Sequence, residues 1–217
     1  MTTPQRIACS IISLLVSSSC TPLSPAAPER VVRVKIVADR KLREENPRWV
    51  DGAARLIEAA SDYFAKEFGI RFVAQKIGPW PLAEKSSSTA LLLTRLKEEV
   101  PLKDQDGSYD LIIGLTGEAV NLYFGGRGRV DRIGDCQQGL GNYVVSSVSA
   151  PLRRIGVSPE SELDLLALIH ELGHIFGAEH TKDINSIMHQ DFAYRTELDK
   201  KSREVILKNK FCPFGKE

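Results

Sequence analysis

The stretch that decides the fold is His170-Glu-Leu-Gly-His174-Ile-Phe-Gly177-Ala-Glu-His180, which holds three of the four histidines of this 217-residue chain. His170 and His174 are four residues apart, so on an α-helix they project from one face, one turn apart, as two ligands of one ion require. Gly177 can adopt the left-handed conformation that ends a helix, which lets the chain bring His180 back to the same ion. The spacing therefore predicts a metal site with three imidazole ligands.

Three imidazoles leave one position of a tetrahedral zinc site open, and an open position is typical of a catalytic zinc because water must bind there. Glu171 directly follows the first ligand, so it lies beside the ligand face, where it can act as the general base. The alternative is a chance His-Glu-x-x-His match on an ordinary amphipathic helix. Gly177 and His180 extend the pattern at fixed spacing and argue against chance.

Met188 follows in the segment Ser186-Ile187-Met188-His189. The eleven-residue motif and this methionine together resemble the metzincin metallopeptidases, whose signature is an extended zinc motif followed by a methionine turn. The resemblance implies that Met188 lies beneath the metal without coordinating it. It covers roughly residues 31–212, with the specific motifs between 170 and 188. The Met188 spacing resembles matrixins, whereas the layout before it resembles adamalysins.

Hydrophobic periodicity elsewhere predicts alternating strands and helices. Strands are predicted at residues 31–37 and 70–77, and helices from after Pro47 to Gly69 and at residues 89–100. The run Leu111-Ile112-Ile113-Gly114-Leu115 predicts a central strand covered on both faces. This order indicates an α/β (α+β) fold with a mostly parallel sheet backed by helices. The resemblance implies the metzincin-like zincin version: a twisted sheet with an antiparallel edge strand, a long backing helix, an active-site helix and a small C-terminal subdomain with the Met-turn and a last helix.

A glycine-rich stretch spans residues 116–159. No Lys-Ser or Lys-Thr follows its glycines and the dinucleotide-binding spacing is absent, so turns and backbone approach to a ligand explain them better than a phosphate loop. Two more strands are predicted, at about residues 129–133 and 142–148. By resemblance, the first is the edge strand above the cleft, to which an extended peptide can add. The alternative is an edge that its charged residues merely keep solvated.

Two further helix boundaries are predicted around the zinc motif. Ser158 or Ser161 can cap the zinc helix, with Asp164 three residues after Ser161 in a capping-box relation. Residues 197–210 predict a C-terminal helix.

The first twenty residues resemble an export signal. Arg6 supplies a positive start, residues 7–16 are apolar, and residues 17–20 are small. Ten apolar residues are too few to span a bilayer as a mature helix.

Cys20 stands where a bacterial lipoprotein is cleaved and lipidated, although Ser17 occupies a position that usually carries an aliphatic residue. Ordinary signal-peptide cleavage near residue 26 or 27 is the alternative. We therefore predict a signal at residues 1–20, a flexible linker at 21–30 and one catalytic domain at 31–217. The protein is expected to be exported, either as a periplasmic or cell-envelope lipoprotein tethered to the membrane through Cys20 or as a secreted protein.

Cys136 and Cys212 are the cysteines that remain once residues 1–20 are removed or capped. An even number in a compartment where disulfides persist predicts that they pair. The alternative is two unrelated buried thiols. Adamalysin-like metzincins join the segment after the edge strand to the C-terminal helix by a disulfide, and the two cysteines occupy comparable places.

The charge of the chain is almost balanced, with 29 basic and 28 acidic residues. This balance favours neither nucleic acid nor an anionic membrane surface as a partner. We expect a monomer that uses one catalytic zinc ion to hydrolyse peptide or protein substrates. Two alternatives are a zinc-containing surface protein that binds peptides without cleaving them, and a zinc hydrolase of another amide such as a cell-wall peptide.

Overall fold

The computed structural model describes residues 29–81, 86, 88–105, 107–118, 128–149, 159–191 and 195–215, with the side chains of residues 159–161 excepted. In chain order, the elements are β1 (Arg30–Ala38), α1 (Arg40–Glu45), α2 (Trp49–Phe68), β2 (Ile70–Pro79), α3 (Thr89–Glu99), β3 (Lys103–Asp104), β4 (Gly107–Ser108), β5 (Leu111–Thr116), β6 (Gly128–Val130), β7 (Tyr143–Ser147), α4 (Pro159–Ile175) and α5 (Lys200–Asn209).

The central sheet has the strand order β2-β1-β5-β7-β6. The first four strands are parallel, and β6 runs antiparallel to β7 at the edge. This confirms the mostly parallel sheet and its antiparallel edge strand. The edge strand is shorter than predicted and ends at Val130. Beyond it, Oδ1 of Asp131 accepts the backbone N–H groups of Asn142 and Tyr143, so a side-chain oxygen replaces the backbone acceptors of a strand pair.

Alternation along the strands directs side chains into two cores. On β5, Leu111 and Ile113 face the core shared with α2 and α4, whereas Ile112 faces the core shared with α3. All six residues of β5 are buried. The predicted central strand covered on both faces is therefore confirmed, and α4 is fixed to the sheet by its apolar face.

Two helix ends show how well the sequence pattern predicts helix boundaries. Gly69 ends α2 with a left-handed φ of 64°, as predicted. The C-terminal helix starts at Lys200 and not at residue 197, because the carboxylate of Asp199 caps it by accepting from the Ser202 backbone N–H.

The capping box predicted for the zinc helix is wrong. Helix α4 begins at Pro159, so Ser161 lies inside it and not at its start. The carboxylate of Asp164 instead accepts hydrogen bonds from the backbone N–H and hydroxyl of Ser149, in the segment after β7. Ser158 lies outside the described residues.

The predicted export signal, including Cys20, also lies outside the described residues. Within the described ranges, no helix combines the length and the apolar character that crossing a membrane requires.

Candidate metal centre

Three imidazole nitrogens converge beside the C-terminal half of α4. His170 and His174 lie on one face of this helix, and His180 follows it in the chain. Nε2 of His174 lies 3.0 Å from Nε2 of His170, and Nε2 of His180 lies 3.2 Å from each of the other two. The structure therefore brings together all three histidines that the sequence motif selected, as a group able to hold a metal ion.

The geometry and chemistry of this group fit zinc. Zn–N bonds of about 2.0–2.1 Å in a tetrahedral site place two ligand nitrogens roughly 3.3–3.4 Å apart. Nδ1 of His170 donates to the Ile187 carbonyl oxygen at 2.7 Å, and Nδ1 of His174 donates to the Ala178 carbonyl oxygen at 2.6 Å. Because each Nδ1 carries its proton towards a carbonyl, Nε2 keeps the lone pair that a metal needs.

Burial keeps these imidazoles neutral. It lowers the pKa of His170 to about 3, with a further contribution from the charge of His174, and it lowers the pKa of His174 to about 4. Burial also lowers the pKa of His180, the most exposed of the three. Neutral imidazole is the form that binds metals.

The turn between the second and third histidines depends on Gly177. Its φ is 95°, in the left-handed region, and its N–H donates to the His174 carbonyl oxygen at 2.9 Å. This turn ends α4 and redirects the chain so that His180 faces the other two rings, as the sequence analysis predicted for this glycine.

Glu171 is buried beside the histidines, with 7% of its surface exposed. Burial raises the pKa of its carboxyl to about 8, and the positive charge of Arg129 partly opposes this rise. A carboxyl in this position binds a proton near neutral pH, which suits a group that accepts and returns protons.

Met188 is completely buried. Its Sδ lies only 2.7 Å from where a Cβ at Gly173 would stand, so it packs against α4 next to His174. Its carbonyl oxygen accepts the Thr181 N–H at 3.0 Å, which joins the methionine turn to the residue after His180.

A family model described as metallo-peptidase family M12 matches residues 28–213. The chain belongs to this family. This M12 peptidase is a zinc metallopeptidase whose substrates are peptides or proteins, and the predicted metzincin relationship is confirmed. No curated protein matches the sequence.

Two solved structures show the same fold as this M12 peptidase. Archaemetzincin from Methanopyrus kandleri is similar with a TM-score of 0.53 and 24% identity, over 82% of this chain and 94% of that one. A structure described as a chaperone-substrate complex is similar with a TM-score of 0.57 and 11% identity over 83% of this chain, which spans 34% of that one. At these identities, the similarity shows the fold alone.

His189 and the two cysteines are the other predicted residues of the M12 peptidase that the structure describes. His189 is partly exposed and its Nδ1 accepts the Asp191 N–H at 3.0 Å. Among the described residues, the ligand atoms that converge belong to the other three histidines. Cys136 and Cys212 are placed as a disulfide pair with a Cα–Cα distance of 4.9 Å, within the usual range for disulfides.

Two residues that the sequence analysis did not select also support the site. Asp199 accepts from the hydroxyl groups of Ser186 and Ser202, which joins the methionine turn to the start of α5. Although burial acts to raise it, these hydrogen bonds lower the pKa of Asp199. The spacing of Asp199 and Ser202 is a helix N-cap signal in the sequence. The second residue is Gly128 of β6, which lies against the side chain of Glu171. Its only signal in the sequence was its place in a glycine-rich stretch.

Proposed function

We propose that this M12 metallopeptidase is an exported endopeptidase in which His170, His174 and His180 hold one zinc ion and Glu171 is the general base. The observation that carries the proposal is the convergence of three neutral imidazole nitrogens, 3.0–3.2 Å apart, next to a buried carboxyl on the same helix. This combination supplies a metal position and a proton acceptor at one place.

The chemistry divides between the metal and the chain. Zinc supplies a Lewis acid that activates water and polarises the scissile carbonyl, and its charge favours the ionised form of the neighbouring Glu171 carboxyl. Glu171 accepts a proton as water attacks and delivers it to the leaving amine. Burial favours the first step, because the raised pKa of Glu171 makes its carboxylate a stronger proton acceptor.

The edge strand β6 supports binding of an extended substrate. It pairs with β7 on one side and ends the strand order of the sheet on the other. A peptide can therefore add to β6 through main-chain hydrogen bonds. Its scissile bond would then lie next to Glu171, because Gly128 of β6 lies against that side chain.

Replacing Glu171 by glutamine tests the assigned role. We expect the Glu171→Gln protein to bind stoichiometric zinc and to lose activity on a mixed peptide library by roughly a hundredfold or more. Glu179→Gln is the matched control, because Glu179 belongs to the same motif but is exposed and pairs only loosely with Lys201, at 3.6 Å. Activity of Glu171→Gln equal to that of Glu179→Gln would rule out Glu171 as the base.

Assays of the peptide library and of cell-wall fragments, with and without a chelator, distinguish the three candidate functions. Cleavage of ordinary peptides that a chelator abolishes supports the endopeptidase. Cleavage confined to cell-wall fragments replaces it with a wall-directed amide hydrolase, and zinc binding without any cleavage replaces it with a binding protein.

Export is the second part of the proposal. It is supported by the apolar segment at residues 7–16 and by the placement of Cys136 and Cys212 within disulfide distance, since disulfides persist outside the cytosol. Mass spectrometry of the mature N-terminus tests it. A diacylated Cys20 indicates a lipid tether, a new start near Pro28 indicates release, and an intact chain retained in the cytosol contradicts export.

A further inference from the structure

Asn209, the last residue of α5, reaches from the C-terminal helix to the turn that leads to the third histidine. It is 7% exposed. Its Nδ2 donates to the Phe176 carbonyl oxygen at 3.1 Å and lies 3.4 Å from the Gly134 carbonyl oxygen. Both acceptors are carbonyl oxygens, so only the NH₂ end of the amide fits this position. Its Oδ1 lies on the other side, 3.8 Å from Sγ of Cys136 and 3.9 Å from Sγ of Cys212.

The two carbonyls that meet Asn209 belong to segments that hold the ligands in place. Phe176 lies between His174 and Gly177, in the turn that ends α4. Gly134 lies in the loop after β6, and its N–H donates to the His174 carbonyl oxygen at 3.0 Å. A single amide therefore joins the end of the zinc helix to the loop after the edge strand.

The Asn209 amide also lies close to Gly177. A Cβ at Gly177 would lie 2.5 Å from Nδ2 of Asn209 and 2.4 Å from the Gly134 carbonyl oxygen. Gly177 is thus packed against the amide in its left-handed conformation, and the direction in which the chain leaves this turn decides where His180 lies.

We propose that Asn209 is a positioning residue for the third zinc ligand, acting through Phe176 and Gly177 on His180. The proposal rests on the assignment of His180 as a zinc ligand. The turn keeps the three nitrogens close together, although His180 is the exposed member of the group. A side chain that holds the turn lowers the cost of bringing His180 to the metal, so its loss weakens binding without removing a ligand.

The test replaces Asn209 by leucine, which has a similar branched shape and no donor. We expect Asn209→Leu to weaken zinc binding, measured by chelator competition, by about tenfold or more. We also expect it to change the visible absorption spectrum of the cobalt-substituted protein, because the third imidazole is less well held. Neither readout responds to a general loss of stability in a protein that remains folded.

Asn142→Leu is the matched control. Asn142 is similarly buried, at 5% exposure, and its Nδ2 donates to the Asp110 carbonyl oxygen at 3.0 Å, at the start of β7. We expect this change to lower stability while leaving zinc affinity within about twofold and the cobalt spectrum unchanged.

A His180→Ala variant separates the positioning role from the ligand assignment. If His180→Ala binds zinc as tightly as the wild type, the ligand assignment itself fails. If His180→Ala weakens zinc binding but Asn209→Leu does not, only the positioning role fails. If both are right, adding Asn209→Leu to His180→Ala produces little further loss, because the residue through which Asn209 acts is gone.

A variant that fails to fold does not end the test. Asn209→Ser removes volume and places no apolar surface against the two carbonyls, so it provides the same comparison should the leucine variant not fold. Wild-type zinc affinity together with a wild-type cobalt spectrum in a folded Asn209 variant would overturn the proposal.

Discussion

Gly128 on the edge strand lies directly against the side chain of Glu171 on the zinc helix. A Cβ at position 128 would stand 2.5 Å from Cγ and 2.9 Å from Oε1 of Glu171. The missing side chain therefore lets β6 approach the proposed base as closely as backbone allows. The strand proposed to bind the substrate and the group proposed to accept the proton are held at one fixed separation.

We expect Gly128→Ala to displace the Glu171 carboxyl and to lower kcat by roughly tenfold to a hundredfold, since misplacements near 1 Å have effects of this size. Zinc content should stay stoichiometric, because the three atoms nearest to such a Cβ all belong to Glu171 and not to a ligand. Steady-state kinetics and metal analysis measure both. Gly78→Ala is the control, because a Cβ at Gly78 meets nothing within 4 Å. Equal kcat for the two variants would contradict the role given to Gly128.

The buried ionisable groups predict how the stability of the zinc-free protein depends on pH. The folded pKa values of His170 and His174 fall from 6.5 to about 3 and about 4, so between pH 4.5 and 6.5 the unfolded chain binds two more protons there. The folded pKa of Glu171 rises from 4.5 to about 8, so over the same range the folded chain binds one more proton. Two less one leaves one extra proton on the unfolded state, and the lowered pKa of His180 adds to this excess, so stability should increase with pH over this range.

Above pH 6.5 the sign reverses, because the imidazoles of the unfolded chain also lose their protons and, among these groups, Glu171 is left holding more protons in the folded state. Stability of the zinc-free protein should therefore pass through a maximum near pH 6.5 and decrease towards pH 8. Urea unfolding at a series of pH values measures this. In zinc-free Glu171→Gln, the decrease above pH 6.5 should disappear, and its persistence there would show that another group causes it.

Gly173 and Met188 should be energetically coupled. Gly173→Ala alone should destabilise the protein by about 1–3 kcal/mol, because the new methyl group would meet Sδ of Met188. In a Met188→Ala background the space is open, so the same change should be neutral or gain up to about 1 kcal/mol from helix propensity. Unfolding free energies of the four proteins give the coupling energy, and simple additivity would mean that the two residues do not compete for this space.

The part of the site that was predictable from the sequence is the part that local geometry controls. His170, His174 and Gly177 follow from helical spacing and from a left-handed turn, both of which act within a few residues. Asn209 was not predictable, because its partners Phe176 and Gly134 lie 33 and 75 residues away in the chain. Nothing in a single buried asparagine near the end of a helix indicates which carbonyls it will meet.

The same distinction explains the errors in the helix boundaries. Asp164 fits a capping box three residues after Ser161, but in the folded protein its carboxylate accepts a hydrogen bond from the Ser149 hydroxyl instead. Asp199 has the right residue type for a cap, and the helix starts one residue later because its carboxylate is used in that way. The Asp164 case shows that a local capping pattern can fail where a distant donor takes the same carboxylate.

Pairing of Cys136 with Cys212 should stabilise the oxidised protein by about 2–4 kcal/mol, because the bond would close a loop of 76 residues in the unfolded chain. Reduction of the wild type should lower its unfolding free energy to that of the Cys136→Ser, Cys212→Ser double variant, and the same reductant should leave the double variant unchanged. A phosphine reductant is needed, because dithiols also bind zinc and would remove the metal. A wild type whose stability does not respond to the reductant, or that labels with a thiol reagent at both positions before reduction, would show that the two thiols stay separate.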